Sequence, residues 1–301
     1  GRWTDDTPQA GRKPGWALDS RLQGINPAAL HSALAGPRIG GEASLRGTTD
    51  GQIAFDTALQ AMGAAPPGEL EALGLRDTRL RGSWGNGRLA LPLMQVRTRD
   101  ATLNGNLDLV PAARSGSGRL NLTAPGLQAV VQGTLAETSG RGTADVQLRD
   151  AAQALRWVRA LPGVPASLRD AVAAGNGTLQ AGWQGGWRDP ALQLRATVPT
   201  FEWRDAANTQ PLRARAVTAT LDGRLAAARL GLQGQLELGT RRLTLRLDAQ
   251  GGRSGAATAP LSASTWQASV SRLALALNDP ALGPGAWTVT TRGTVPLRFS
   301  P

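Results

Sequence analysis

The sequence predicts an all-β protein: an elongated, curled antiparallel β-sheet, a β-groove or taco, with a hydrophobic interior and short inserted helices. Three observations predict it. Apolar and polar residues alternate with period two along most of the 301 residues. Glycines and short polar clusters interrupt the alternation at intervals of about 10–15 residues, which is hairpin spacing. The apolar positions hold mostly leucine, alanine and glycine, with few large aromatics.

Successive side chains of a strand point to opposite faces, so a period of two makes one face apolar and the other wet. Helical periodicity does not separate such a pattern. Residues 101–109 place Ala101, Leu103, Gly105, Leu107 and Leu109 on one parity and Thr102, Asn104, Asn106 and Asp108 on the other. Leu120 and Leu122 flank Asn121, and Ala144, Val146 and Leu148 alternate with Thr143, Asp145 and Gln147. Leu179, Ala181 and Trp183 follow the same rule, as do Leu192, Leu194, Ala196 and Val198. So do Leu230, Leu232, Gly234, Leu236 and Leu238, and then Leu243, Leu245, Leu247 and Ala249. Near the end Trp287, Val289, Val295, Leu297 and Phe299 share one parity. This gives about fifteen strands. Turns are expected at Gly116–Gly118, Gly185–Gly186 and Gly251–Gly252.

Two interruptions read as helical. Asn26 before Pro27 is a cap followed by proline at the first helical position, which predicts a helix near 26–35 that stops at Gly36. Asp150 caps a segment with Ala154, Leu155, Trp157 and Val158, broken by Pro162-Gly163. A second helix from about Pro165 carries Leu168, Val172 and Ala173 to Gly175, completing a helical hairpin near 150–175. Residues 62–74 read as a third short helix or a loop. No composition shift marks a boundary, so 1–301 reads as one extended unit, and the opening Gly1 as a piece of a longer protein.

Composition removes most chemistries. With no cysteine there are no disulfides, thiolate metal sites or cysteine nucleophiles. One histidine, His31, leaves no His-based triad or His-ligated zinc. Lys13 precedes Pro14, so no phosphate loop exists, and no Gly-x-Ser-x-Gly elbow is present. The carboxylates are scattered among Gln, Thr and Arg on the polar parity, as solvated groups are. The net charge of +11 is almost all arginine, dispersed along the strands, which points to a solvated face or to anionic headgroups rather than to nucleic acid. No run of 18 apolar residues can span a bilayer as a helix. The reading is therefore non-enzymatic, with no catalytic, cofactor or metal residues and no cofactor.

What remains is the apolar face. A face rich in leucine, alanine and glycine suits an open trough, and a long apolar surface usually marks a ligand or partner site. Acyl chains fit it, because each methylene removed from water is worth about 0.8 kcal/mol. Fifteen strands spaced about 4.8 Å apart would reach roughly 70 Å, far longer than one lipid. The expected lining is Leu103, Leu107, Leu109, Leu120, Leu122, Val146, Leu148, Leu179, Trp183, Leu192 and Leu194, then Leu230, Leu232, Leu236, Leu238, Leu243, Leu245 and Leu247. The rival readings are a structural or adhesive β-solenoid passenger with a filled core and a carbohydrate-active β enzyme with paired carboxylates beside exposed tryptophans.

Four stretches resemble a known family. They are Gly15-Trp16-Ala17-Leu18-Asp19-Ser20 with Asn26-Pro27-Ala28-Ala29-Leu30, and Gly118-Arg119-Leu120-Asn121-Leu122-Thr123-Ala124-Pro125-Gly126. The others are Leu155-Arg156-Trp157 through Leu161-Pro162, and Gly177-Thr178-Leu179 followed by Trp183-Gln184-Gly185-Gly186-Trp187-Arg188-Asp189-Pro190. Together they resemble part of the TamB family, the inner-membrane component of the translocation and assembly module, within the AsmA-like group. The resemblance implies a periplasmic β-groove of an inner-membrane-anchored protein in a Gram-negative bacterium. It also implies phospholipid transport between the membranes or outer-membrane protein assembly and secretion. The partner would be an outer-membrane barrel, TamA, engaged through regions outside this segment.

Overall fold

A computed structural model describes residues 2–5, 15–26, 29, 37–48, 51–63, 74–161, 164–205, 210–254, 265–283 and 285–299. The chain divides into two compact units, residues 1–125 with 156–164, and residues 126–155 with 165–301. The fold is all-β, and each unit is an open antiparallel sheet.

In the first unit the strands are β1 (Arg2–Asp5), β2 (Trp16–Ile25), β3 (Arg38–Gly47), β4 (Ile53–Met62), β5 (Leu75–Gly85), β6 (Arg88–Thr98), β7 (Thr102–Val110) and β8 (Ser115–Ala124). Each pairs antiparallel with the next, in sequence order. Between β5 and β6 the link is Asn86-Gly87, both at positive φ (49° and 70°), the turn that matches the right-handed twist of a two-residue hairpin.

In the second unit the strands are β9 (Leu127–Leu135), β10 (Gly140–Leu148), β11 (Val172–Gln184), β12 (Ala191–Arg204), β13 (Leu212–Arg224), β14 (Ala227–Leu238), β15 (Arg241–Ser254), β16 (Thr265–Asn278), β17 (Trp287–Thr290) and β18 (Val295–Phe299). Sequential pairing continues from β9 to β16. The short strands β17 and β18 both lie along β16. Among the described residues no pairing joins the first and last strands of either unit, so neither sheet closes.

Three neighbouring strands of the second unit are irregular at one level. The register shifts between Asn176 and Thr178 in β11, Pro199 breaks the run of β12, and β13 shifts between Arg215 and Thr218. Ala216 sits there with φ at 50°, the left-handed region that costs a non-glycine residue roughly 1 kcal/mol. Bulges bend a strand and increase its twist, so aligned irregularities crease the sheet instead of leaving it flat. Ala216→Gly is therefore expected to raise stability by about 0.5 kcal/mol and Ala216→Val to lower it by about 1 kcal/mol. Urea unfolding midpoints check this, and a valine variant as stable as the glycine one would remove the strain argument.

The helical segments are shorter than the sequence predicts. Helix α1 (Ala151–Arg159) starts as expected at Asp150, whose Oδ1 accepts from the Ala152 and Gln153 amides at 2.9 and 3.0 Å. The second helix is a single turn, α2 (Ala166–Arg169), and Val172 and Ala173 already belong to β11. Pairing with β12 decides this, because Ala173 faces Trp203 and Gly175 faces Phe201 across the ladder. Of the helix predicted near 26–35 only Asn26 and Ala29 are described, the Ala29 amide donating to the Asn26 carbonyl at 3.0 Å; the segment 64–73 and His31 lie outside the described residues. Two expected turns are also strand: Gly116 and Gly118 sit inside β8 opposite Leu109 and Leu107, and Gly251–Gly252 lies inside β15. Glycine in these places makes room for a neighbouring leucine or turn rather than for a reversal. Gly185–Gly186 does lie between strands, where Gly185 has φ at 96°.

The core is thin. Among the described residues the buried apolar side chains are alanines, such as Ala154 and Ala173, together with Val270, and no large side chain is fully buried. A sheet packed against a second layer buries its leucines. These sheets leave theirs half-buried.

Candidate functional site

Cross-strand partners share a face, so the pairing register fixes which residues line each surface. In the first unit one row runs Trp16, Gly47, Ile53, Trp84, Leu89, Leu109, Gly116. A second joins Leu18, Leu45 and Phe55 to Gly82, and beyond it Leu91 faces Leu107 and Gly118. The next rows include Leu80, Met94, Gly105 and Leu120, and then Leu59, Thr78, Val96, Leu103 and Leu122. Apolar side chains thus run from strand to strand across β2 to β8.

The second unit repeats the arrangement. Its rows include Gly142, Trp183, Leu192 and Gly223, and Ala181, Leu194, Leu221, Leu230, Ala249 and Val270. Another holds Val146, Leu179, Ala196, Ala219, Leu232, Leu247 and Leu273. Leu148 faces Gly177, Leu245 lies between Gly234 and Leu275, and Leu236 faces Leu243, itself opposite Leu277. Leu238 faces Leu212. The leucines, valine and tryptophan of the expected lining thus share one cross-strand face within each unit. These side chains stay partly open to solvent, and Leu179, Leu230 and Leu238 are 37%, 39% and 41% exposed.

Glycine and bulk alternate along the rows for a steric reason. A Cβ on Gly82 would come within 2.8 Å of both Leu91 Cδ2 and Phe55 Cζ, and one on Gly105 equally close to Leu120 Cδ2. Trp183 is the extreme case. Its ring lies across Gly142 on β10 and reaches Gly133 on β9, where a Cβ would be 2.8 Å from Cζ2. The indole Nε1 donates to the Thr134 carbonyl at 3.0 Å, so its one polar atom is satisfied while the ring stays in the lane.

Sequence reasoning missed Leu18, Leu45, Phe55, Leu80, Leu91 and Met94, and in the second unit Phe201, Trp203 and Leu212. In β4 the alternation of Ile53, Phe55, Thr57, Leu59 and Ala61 was there to be found. In β6 and β12 a break at Pro92-Leu93 and at Pro199 switches the parity, so a uniform period of two fails at that point. Trp203 stacks near Phe201 with ring centroids 6.5 Å apart, beyond that break.

The opposite face is polar. Cross-strand ion pairs join Arg21 to Glu42 at 3.1 Å, Arg81 to Asp56 at 2.7 Å and Arg213 to Glu202 at 2.9 Å. Such exposed pairs add little stability. Arg88 meets Asp108 through one guanidinium edge, its Nε donating to Oδ1 at 2.7 Å and its Nη2 to Oδ2. This hydrogen bond, helped by the charge, holds the Asp108 carboxyl below its ordinary range. A depressed carboxylate favours the folded state at pH values above its unfolded pKa of about 3.9, and that contribution fades as pH falls through the lower folded value. Arg88→Ala is expected to return the Asp108 titration, followed by carboxyl carbon chemical shift, to the ordinary range; an unmoved titration would contradict the pairing.

Among the described residues no three histidine or acidic groups gather as a metal site would require, and no helix is long and apolar enough to cross a membrane. No protein-family model matches the chain, and neither a curated protein nor a solved structure is similar to it.

Proposed function

We propose that this chain is a non-enzymatic β-groove segment of a TamB-like periplasmic protein, anchored in the inner membrane of a Gram-negative bacterium. It carries phospholipid acyl chains on its apolar face during transport between the inner and outer membranes, and takes part in outer-membrane protein assembly and secretion. An outer-membrane barrel of the TamA type is its partner, through regions outside this segment. The observation that supports this reading is the open apolar face of each unit, where rows of leucine lie half-exposed and, among the described residues, no large side chain is fully buried.

The physics favours acyl chains on such a face. Its backbone groups are largely engaged in the ladders, and the rows offer mostly hydrocarbon, with a few threonines and a serine among them. Each methylene laid against them leaves water, with a gain of about 0.8 kcal/mol. A passenger with a filled core would instead bury its large residues, as close-packed interiors do.

The test places photo-crosslinking residues at Leu107 and Leu245 on the apolar face and at Asn106 and Gln233 on the polar one. The protein is expressed in a Gram-negative periplasm and analysed by native mass spectrometry. Copurified phospholipid, with lipid adducts at the two leucine positions and none at the polar positions, is the expected result. No bound lipid, or adducts spread equally over both faces, would overturn the proposal.

A further inference from the structure

The first unit carries a concavity centred on the polar side chains of its sheet. A depression of about 550 Å³ is lined by residues of β2 to β6. Its shape follows from the register. Ala58 stands in one cross-strand row with Arg21, Glu42, Arg79 and Gln95, and Gln60, Asp77 and Arg97 form the row beside it. A short side chain among long ones leaves a hollow above itself, and Met62, folded over Gly40, walls one end.

The charges of this hollow are unevenly matched. Arg21 is tied to Glu42 at 3.1 Å, and Arg97 lies 3.6 Å from Asp77. Arg79, between them, has no hydrogen bond or ion pair among the described residues. Both carboxylates of the lining are therefore engaged while one guanidinium is not. Opposite Ala58, that guanidinium has space in front of it instead of a competing side chain. Gln60 adds an amide at the side, and Gln95, whose oxygen accepts from the Arg97 guanidinium, adds its N–H donors. A planar guanidinium presents paired N–H donors that match the two oxygens of a carboxylate or phosphate.

We propose that this hollow is a binding site for a small oxyanion, a phosphate ester or a carboxylate on a hydroxylated ligand, with Arg79 as its anchoring residue. The volume lies in the range of small-molecule sites. Arg79, Glu42 and Gln95 stand on the face opposite the leucine rows, while Leu22, Leu59 and Thr78 of one such row also border the hollow. The oxyanion test reads Arg79 and the lipid test reads Leu107 and Leu245, so the two readings are judged separately.

The test is calorimetric titration of the whole chain, at low ionic strength, with glycerol 3-phosphate and separately with glucuronate. Saturable binding of at least one is expected, and the stronger of the two identifies the group. Arg79→Ala is expected to weaken it by about tenfold or more, the usual loss when a charge-assisted hydrogen bond is removed. Arg79→Lys should retain part of the affinity. Arg46→Ala, on the same face of β3 but outside the hollow, should change nothing. Circular dichroism confirms that each variant is folded. No saturable binding of either compound, or an equal loss in the Arg46 variant, overturns the site.

Discussion

Gly142→Val is expected to destabilise the second unit by about 3 kcal/mol, the sum of an overpacked site and a displaced indole. The Trp183 ring occupies the space that a Cβ at Gly142 would need, and the Gln132 carbonyl closes the other side. Neither can yield cheaply, because the ring is held by its hydrogen bond to Thr134 and the carbonyl is part of the ladder between β9 and β10. Gly182 is the control. It is next to Trp183 in β11, but a Cβ there meets nothing closer than 3.9 Å. Gly182→Ala should thus be neutral or gain up to about 1 kcal/mol, as replacing glycine within a strand usually does. Urea unfolding measures both. If the ring is the cause, Gly142→Ala costs less in a Trp183→Ala background, with a coupling of about 1 kcal/mol. Strict additivity would mean that the tryptophan does not dictate the glycine.

Leu232→Asp is expected to abolish most lipid retention, by more than about tenfold, while lowering stability by only about 1–2 kcal/mol. Leu232 lies within the row Ala219, Leu232, Leu247, Leu273, and its half-exposure limits what folding loses when it is changed. A carboxylate within a bed of hydrocarbon has no partner and must keep its water, which excludes acyl chains beside it. Leu232→Ala separates the two effects, because it lowers stability similarly but leaves the row apolar and lipid in place. Gln233→Asp, one residue along on the polar face, should change neither quantity. Phospholipid counted per protein by mass spectrometry, beside unfolding midpoints, reads the comparison. Lipid lost equally from the alanine and aspartate variants would show that retention follows general stability and not the chemistry of the lane.

Much of this architecture is legible from residue order. Period two marks β7, β10, β14 and β15 because each is regular over its length, so one parity of Leu103 to Leu109 or Leu243 to Leu247 corresponds to one face. Asp150 announces the start of α1 because a cap acts through amides only two or three residues away. Reading fails where a distant strand decides. Val172 and Ala173 are compatible with a helix by themselves, yet pairing with Arg204 and Trp203 makes them strand. Gly116, Gly118 and Gly251 look like turn residues when read alone, because a glycine's local freedom says nothing of the leucine or backbone lying against it.

The sequence by itself determined the fold class, the antiparallel character and the composition of the two faces, since alternation is a property of each strand alone. Tertiary structure decided which strand residues become neighbours across the ladder, where the parity switches at Pro92 and Pro199, and which glycines seat a ring. It also decided that the leucine rows remain half-open. Burial depends on what covers a face, and the cover is another part of the chain, beyond the reach of any local pattern.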